Sequence, residues 1–220
     1  MRPRPRPTVP FDTASRGSGR RSLRFGLLVV VALTLSACAG GGSPDVSFDP
    51  STACAATADE GHYPGAYPAL EALLPATYEG AAPASVDSGR SCTPETLGTL
   101  RERGFPEVHF AGATWDLGNG RGLTVAVFEA PQLVPERMIE FYEAGARAAR
   151  RTDDLERSDT TVGGVPAKRL DVLYGDSAQT IVAWPAADDP GRVKVLLAAD
   201  LGDTKVAELL DRFGTDTAAD

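Results

Sequence analysis

The chain has 220 residues, of which 42% are hydrophobic and 24% charged, a composition that excludes wholesale disorder. Residues 1–37 hold seven of the 22 basic residues and one of the 30 acidic residues, so the part from Cys38 onward has 15 basic and 29 acidic residues and a formal charge of −14. Such a surface repels phosphates, which excludes nucleic acid as a partner. Three cysteines and two histidines without clustered spacing predict no metal site and no cofactor.

The N-terminal segment has the three parts of an export signal. A basic region ends at residues 20–24, an apolar run extends from Phe25 to Leu35, and a short segment ending in Cys38 follows. The apolar run of eleven residues is about half of the ~20 that a membrane-spanning helix needs. It therefore predicts a signal peptide over residues 1–37, and the Arg20-Arg21 pair leaves both the general and the twin-arginine export routes open.

The residues Leu35-Ser36-Ala37-Cys38 resemble the lipobox of bacterial lipoproteins, in which a leucine and two small residues precede a cysteine. The resemblance implies that the Cys38 thiol receives a diacylglyceryl group and that a peptidase cleaves just before it. Two or more acyl chains anchor a protein stably, whereas a single chain binds only marginally. The resemblance thus implies an extracytoplasmic protein that is attached to the bacterial plasma membrane by the lipid on Cys38.

A flexible tether is expected to follow, because residues 38–60 begin with a run of glycine, serine and proline and contain few large apolar residues. Cys54 and Cys92 are the remaining cysteines once Cys38 is lipidated. Two thiols in an exported chain usually pair, so we predict a disulfide between them. A catalytic dithiol is less well supported, since the close spacing of two cysteines that it requires is absent.

A single domain is expected over residues 61–215, followed by a disordered tail over residues 216–220. Proline, threonine and aspartate at helix starts and apolar residues three or four apart predict its helices. Alternating apolar residues between glycine-rich turns predict its strands, and a charged loop is expected around Asp153-Asp154. The predicted helices are 68–74, 94–103, 135–150 and 203–213, and the predicted strands are 107–115, 123–128, 165–174, 179–184 and 193–198.

This order of elements predicts an α+β fold, a mainly antiparallel β-sheet with helices packed against it. The order resembles that of the PsbP/Mog1-like α-β-α sandwich, which implies helices on both faces of the sheet. Two stretches are also similar to each other: Trp115 and Trp184 are each followed by a turn with a Gly-Arg pair, a strand and a helix. A duplication explains this similarity, but two hairpin–helix units also arise independently.

The residues that usually carry chemistry predict no catalytic site. The nearest match to a serine nucleophile elbow, at residues 175–179, lacks the final glycine and is typical of a hairpin turn. His62 is expected near the tether at the surface, and His109 in a strand on the face opposite Val108 and Phe110. The acidic pairs 153–154 and 188–189 do not follow the ligand spacing of a calcium loop, and they indicate solvated loops.

Trp115 and Trp184 are the candidates for a binding surface, because each is expected where a strand meets its turn. Burial in the core and a shared aromatic surface both remain open. The sequence favours a non-enzymatic, lipid-anchored binding or interaction protein of the bacterial envelope whose partner is a protein or a cell-wall component. The alternatives are a carrier or sensor of an apolar ligand held between sheet and helices, and a carboxylate-dependent hydrolase.

Overall fold

An eight-stranded antiparallel sheet organises the chain in the computed structural model, which describes residues 49–54, 61–149, 152–187 and 189–214. Cys38, the signal segment, most of the tether and the 216–220 tail lie outside the described residues. The strands are β1 (His62–Tyr63), β2 (Ser85–Ser91), β3 (Val108–Gly118), β4 (Arg121–Glu129), β5 (Asp154–Val162), β6 (Val165–Tyr174), β7 (Ser177–Pro185) and β8 (Arg192–Ala199). The helices are α1 (Pro68–Glu71), α2 (Pro94–Leu97), α3 (Thr99–Glu102), α4 (Pro135–Ala148) and α5 (Asp203–Gly214).

The sheet joins two meanders. Its strand order is β1-β2-β3-β4-β8-β7-β6-β5, so β4 and β8 lie side by side at its centre. Two-residue turns connect β3 to β4, β5 to β6 and β6 to β7, and the β5–β6 turn consists of Gly163-Gly164, whose φ angles are 57° and 80°. Two successive positive φ angles are those of the type I′ turn, whose twist matches that of the flanking strands. The sheet-dominated α+β fold expected from the sequence is therefore present.

The helices cover both faces of the sheet. Successive residues of a strand point to opposite sides, so each face has its own buried cluster. On one side, called the α5 face, Ala113 and Leu123 join a buried cluster with Val206, Leu209 and Leu210 of α5. On the other side, called the α4 face, buried strand residues such as Leu170, Ile181 and Val195 pack with Met138, Ile139, Tyr142 and Ala146 of α4. The helix α1 lies on the α5 face through Leu70, and α2 and α3 lie on the α4 face through Leu97 and Leu100.

The structure corrects several helix boundaries. The helix expected over 94–103 is divided into α2 and α3 at Gly98, whose φ of 48° is outside the helical range. Its predicted N-cap is confirmed, since the Thr93 hydroxyl accepts a hydrogen bond from the Thr96 amide at 3.3 Å. At the start of α5, the Gly202 carbonyl accepts the first helical hydrogen bond, and the Asp203 carboxylate pairs with Arg169 instead of capping the helix.

Three of the observed strands were not predicted from the sequence: β1, β2 and β5. The expected charged loop around Asp153-Asp154 is largely wrong, because a nine-residue strand begins at Asp154. Most residues of β5 are exposed and polar, since the strand lies at the edge of the sheet, and the apolar alternation that reveals a strand is therefore missing. None of the helices in the described part of the chain is both long and apolar enough to span a membrane.

Candidate functional site

The disulfide predicted from export is present between Cys54 and Cys92, whose Cα atoms are 6.0 Å apart. It fastens residues 49–54 to the domain beside β2. The Arg90 guanidinium, which is 3% exposed, donates hydrogen bonds to the Thr52 carbonyl at 2.5 Å and to the Asp49 carbonyl at 3.4 Å. Residues 49–54, which lie within the predicted tether, are thus held both covalently and by hydrogen bonds.

Trp115 and Trp184 are both core residues, which corrects the alternative of a shared aromatic binding surface. Their side chains are 3% and 2% exposed, and they belong to the buried cluster of the α5 face. The Trp115 indole Nε1–H donates to the Ala81 carbonyl at 3.1 Å, so its polar atom has a partner inside the protein. Each indole points inward because its position in the strand shares the face that α5 covers.

The two histidines lie on different faces of the sheet. His109 lies on the α5 face, opposite Val108 and Phe110 as expected, where its ring stacks on Tyr67 at a centroid distance of 4.6 Å and its Nε2 contacts Glu107. His62 lies in β1 on the α4 face, where its Nδ1 contacts the Asp87 carboxylate. Among the described residues, no hydroxyl or thiol is hydrogen-bonded to the His62 imidazole. The His62–Asp87 pair therefore has no neighbouring nucleophile to activate in that part of the chain.

The acidic pairs serve turns. The Asp153 carboxylate accepts a hydrogen bond from the Gly175 amide at 2.6 Å, and the Asp189 carboxylate accepts one from the Gly191 amide at 2.8 Å. The role of Asp189 fits the solvated loop expected there, whereas Asp154 is the first residue of β5. These carboxylates give the hydrolase alternative no facing pair of acids.

An uncovered stretch of the α4 face is the candidate site, and alternating burial reveals it. On the α5 face, the central residues of β3 and β4 are at most 3% exposed, namely Ala111, Ala113, Trp115, Leu123, Val125 and Val127. On the α4 face of the same two strands, Gly112, Thr114 and Thr124 are partly exposed. We call the site the open patch and define it as Asp87, Gly112, Thr114, Thr124 and Leu197, which lie on four neighbouring strands.

The position of α4 explains why the patch is open. The helix packs on β6, β7 and β8 and reaches β4 at Phe128, where the Tyr142 ring stands edge-on at 6.4 Å. Phe110 and Phe128 then form a boundary, 6.4 Å apart, between the covered and the uncovered part of the face. The main contacts of α4 are with β6, β7 and β8, so the α4 face of β3 and β4 beyond this boundary lies outside the area that α4 covers.

The open patch combines two hydroxyl groups and one carboxylate with the partly buried side chain of Leu197. The hydroxyls of Thr114 and Thr124 are hydrogen-bonded to each other at 3.0 Å. Asp87 adds a carboxylate beside them, opposite Gly112, and His62 holds one of its oxygens. Small-molecule sites share this composition, a mainly apolar surface with a few well-placed polar groups.

A concavity lies on the α5 face, between the loop before β2 and the end of β3. It has a volume of about 270 Å³ and is lined by Tyr78, Glu79, Ala81, Ala82, Ala84, Trp115, Asp116 and Leu117. The volume is just below the ~300 Å³ at which ligand pockets usually begin. Its aromatic groups are already engaged, because Lys205 and Arg212 lie over the Tyr78 ring. The open patch is therefore the stronger candidate.

Sequence analysis missed the open patch, although a signal for it exists. On the α4 face of β3, Phe110 is followed by Gly112 and Thr114, and small or hydroxyl-bearing residues replace apolar ones where the helix no longer covers the strand. The contribution of Asp87 was hidden because β2 itself was not predicted. No protein-family model matches this chain, and no curated protein matches it either.

Proposed function

We propose that this protein is a lipid-anchored, non-enzymatic binding protein of the bacterial cell envelope, attached to the outer side of the plasma membrane through Cys38. The signal segment and the lipobox resemblance support the anchor, and the Cys54–Cys92 disulfide fits an oxidising compartment. The disulfide and the Arg90 hydrogen bonds that hold residues 49–54 also fit a membrane anchor, since they attach part of the predicted tether to the domain.

The residue composition of the open patch indicates which kind of ligand it would bind. Protein–protein interfaces are enriched in aromatic residues, methionine and arginine and depleted in serine, alanine and aspartate. The centre of the patch is instead formed by glycine and threonine, with Asp87 beside them. We therefore propose that the ligand is a neutral segment of a cell-wall glycan, whose hydroxyls pair with those of Thr114 and Thr124 beside the Asp87 carboxylate.

The charge of the protein supports a neutral ligand. With a formal charge of −14 from Cys38 onward, the domain repels polyanionic wall polymers as it repels nucleic acids. The finer fold assignment is also a proposal: helices on both faces of an antiparallel sheet support a PsbP/Mog1-like α-β-α sandwich.

Co-sedimentation with purified cell-wall sacculi, stripped of their anionic polymers, tests the ligand. The domain should sediment with the sacculi, and Thr124→Arg should reduce the bound fraction about tenfold, because a long cationic side chain would cover the patch. Thr77→Arg, at an exposed loop position on the other face, is the matched control and should bind normally. Absence of wild-type binding, or equal loss in both variants, would contradict the proposal.

Membrane fractionation of the full chain tests the anchor separately. Cys38→Ala should move the protein from the membrane fraction to the soluble fraction or leave an uncleaved precursor, because the acceptor of the lipid is gone. Cys92→Ser is the control for a general effect of losing a thiol, and it should remain in the membrane fraction. A Cys38→Ala variant that is processed and retained like the wild type would exclude the lipoprotein assignment.

A further inference from the structure

The outer edge of β5 is an unusual feature of the sheet. β5 has nine residues and pairs with β6 in unbroken register from Asp154 to Val162, whereas β1 at the opposite edge has two residues. A long, regular edge strand without proline is a template for pairing with another strand, and proteins usually shorten, bend or cover such edges. In the described ranges, nothing pairs with the outer side of β5.

The turn that follows β5 determines which of its main-chain groups point outward. Val162 and Val165 close the two-residue turn, so they form a hydrogen-bonded pair, and such pairs recur at every second residue of an antiparallel ladder. The amides and carbonyls of Leu155, Arg157, Asp159 and Thr161 therefore face away from β6. Pro166, which has no amide hydrogen, lies opposite Thr161, in agreement with this alternation.

The side chains of the outward-facing residues are self-complementary. If a second β5 pairs antiparallel with the first about Ser158, Arg157 lies opposite Asp159 of the second copy, and Leu155 lies opposite Thr161. All four outward-facing residues then form hydrogen-bonded pairs, and opposite charges meet twice. Centring the pair on residue 157 or 159 instead places two arginines or two aspartates opposite each other, which is unfavourable.

We propose that two copies of this chain associate through β5, antiparallel about Ser158, to form one continuous sixteen-stranded sheet. Space for this association exists on the α5 face, because Glu156 and Ser158 are exposed, and the end of α5 at Gly214 lies against Val162, at the far end of the strand. On the α4 face, the Asp159 side chain is 81% exposed and pairs with Lys168. The Arg157 side chain is 35% exposed and pairs with Glu136 and Glu143 of α4, so both charges are accessible from solvent although each already has a partner in its own copy.

The geometry of this dimer has a consequence for binding. A two-fold axis that extends an antiparallel sheet across its edge is perpendicular to the sheet, so both copies keep their α4 faces on the same side. The two open patches would then face the same direction, and both lipid anchors would belong to one particle. Two sites that engage one polymer bind it more tightly than either alone, without any new contact.

Engineered cysteines in the full chain, expressed in its own host, test the register directly. Ser158→Cys should yield a covalent dimer on a non-reducing gel, because residues directly opposite each other in a non-hydrogen-bonded pair have Cα atoms about 4.5 Å apart, within disulfide range. Glu156→Cys is the matched control, exposed on the same face. It should stay monomeric, since its two copies would lie four residues, about 13 Å, apart.

Charge reversal provides an independent test with the purified domain and its oligomeric state in solution. Arg157→Asp or Asp159→Arg alone should weaken the dimer about tenfold or more, because like charges then meet at both symmetric positions. The double variant, with the two charges exchanged, should restore the dimer. Rescue by the double variant distinguishes a lost interface from a misfolded domain.

Three results would overturn the proposal. One is a wild-type chain that stays monomeric at about 100 μM, a concentration far above that needed by a stable dimer. Another is equal cross-linking at positions 156 and 158, which indicates random collision. The third is a monomer that dimerises only after removal of residues 216–220, which would show that the chain's own tail occupies the edge.

Discussion

The hairpin β3–β4 and the hairpin β7–β8 are each followed by an amphipathic helix, yet the two helices cover opposite faces of the sheet. Trp115 and Trp184, which make the two units similar in sequence, both point to the α5 face. The helix α4 leaves its hairpin for the α4 face, whereas α5 covers the face that contains both indoles. The two units thus share a hairpin pattern without forming a symmetric repeat of the whole unit.

This difference leaves the two faces unequally covered. On the α5 face, the strand residues beneath α5 and α1 are almost completely buried, and this face contains the two largest side chains of the core. On the α4 face, α4 lies across β6, β7 and β8, and β3 and β4 remain partly exposed beyond Phe128. Both faces bury a large cluster, and we infer that the part of the α4 face beyond Phe128 is available for binding.

Removal of α5 should have the largest effect on stability. Truncation after Gly202 deletes Val206, Leu209 and Leu210 from the buried cluster and exposes the apolar strand residues beneath them. We expect loss of the cooperative thermal transition. The free-energy cost of removing these buried side chains should exceed the unfolding free energy of a typical domain, which is about 5–15 kcal/mol. Truncation after Thr215 is the control and should melt like the wild type. A cooperative melt without α5 would show that the helix is peripheral.

Neighbouring substitutions on the two faces should differ clearly in their cost to stability. Val125→Ala removes two methyl groups from a residue that is 3% exposed on the α5 face, and it should cost about 2–3 kcal/mol of unfolding free energy. Thr124→Ala, on the open patch, should change the unfolding free energy by about 0.5 kcal/mol. Urea denaturation measures both. Equal costs would mean that the α4 face is as well covered as the α5 face.

Loss of the disulfide should lower the local stability of β1 and β2, at the edge of the sheet next to β3. Cys54 and Cys92 are 38 residues apart in sequence, and closing such a loop contributes about 3–4 kcal/mol by the chain-entropy estimate. The Cys54→Ser, Cys92→Ser double variant should exchange its amide hydrogens faster in β1 and β2 than in β7 and β8. Uniform acceleration across all strands would show that the bond stabilises the whole domain equally.

The smallest expected effect is a pH dependence located on α4. Burial opposes ionisation of the Glu140 carboxylate, but hydrogen bonds and the charges of Arg137 and Arg103 outweigh it and lower the pKa of Glu140. A carboxylate with a lowered folded-state pKa stabilises the fold above its unfolded pKa and loses that contribution as the pH falls through the folded value. We therefore expect Glu140→Gln to flatten the stability profile below about pH 4.5 by about 1 kcal/mol or less.

Thermal melts of the wild type and Glu140→Gln between pH 3 and 7 measure this effect. Glu136→Gln is a useful comparison on the same helix, since its side chain is 40% exposed in contrast to 19% for Glu140. A larger flattening in the Glu136 variant would show that exposed ion pairs, and not Glu140, determine the acid stability of this unit.

Strong local patterns made much of the fold predictable. The apolar alternation of β3, β4, β6, β7 and β8 and the stripe of Val206, Leu209 and Leu210 were recognised with boundaries close to those observed. The Cys54–Cys92 pair was also predicted, because it follows from the number of thiols in an exported chain. The edge strands were not predicted, since a strand such as β5 that buries few side chains needs no apolar alternation.

The sequence by itself determined the local elements, the turns and the pairing of two cysteines, because propensity, capping and turn conformation depend on a few adjacent residues. Only the tertiary structure decided which face each helix covers, that both indoles are buried, and that Asp87, Thr114 and Thr124 meet on an open surface. These features depend on the central pairing of β4 with β8 and on the paths of α4 and α5 across the sheet. They are set by contacts between residues far apart in sequence, which no local pattern encodes.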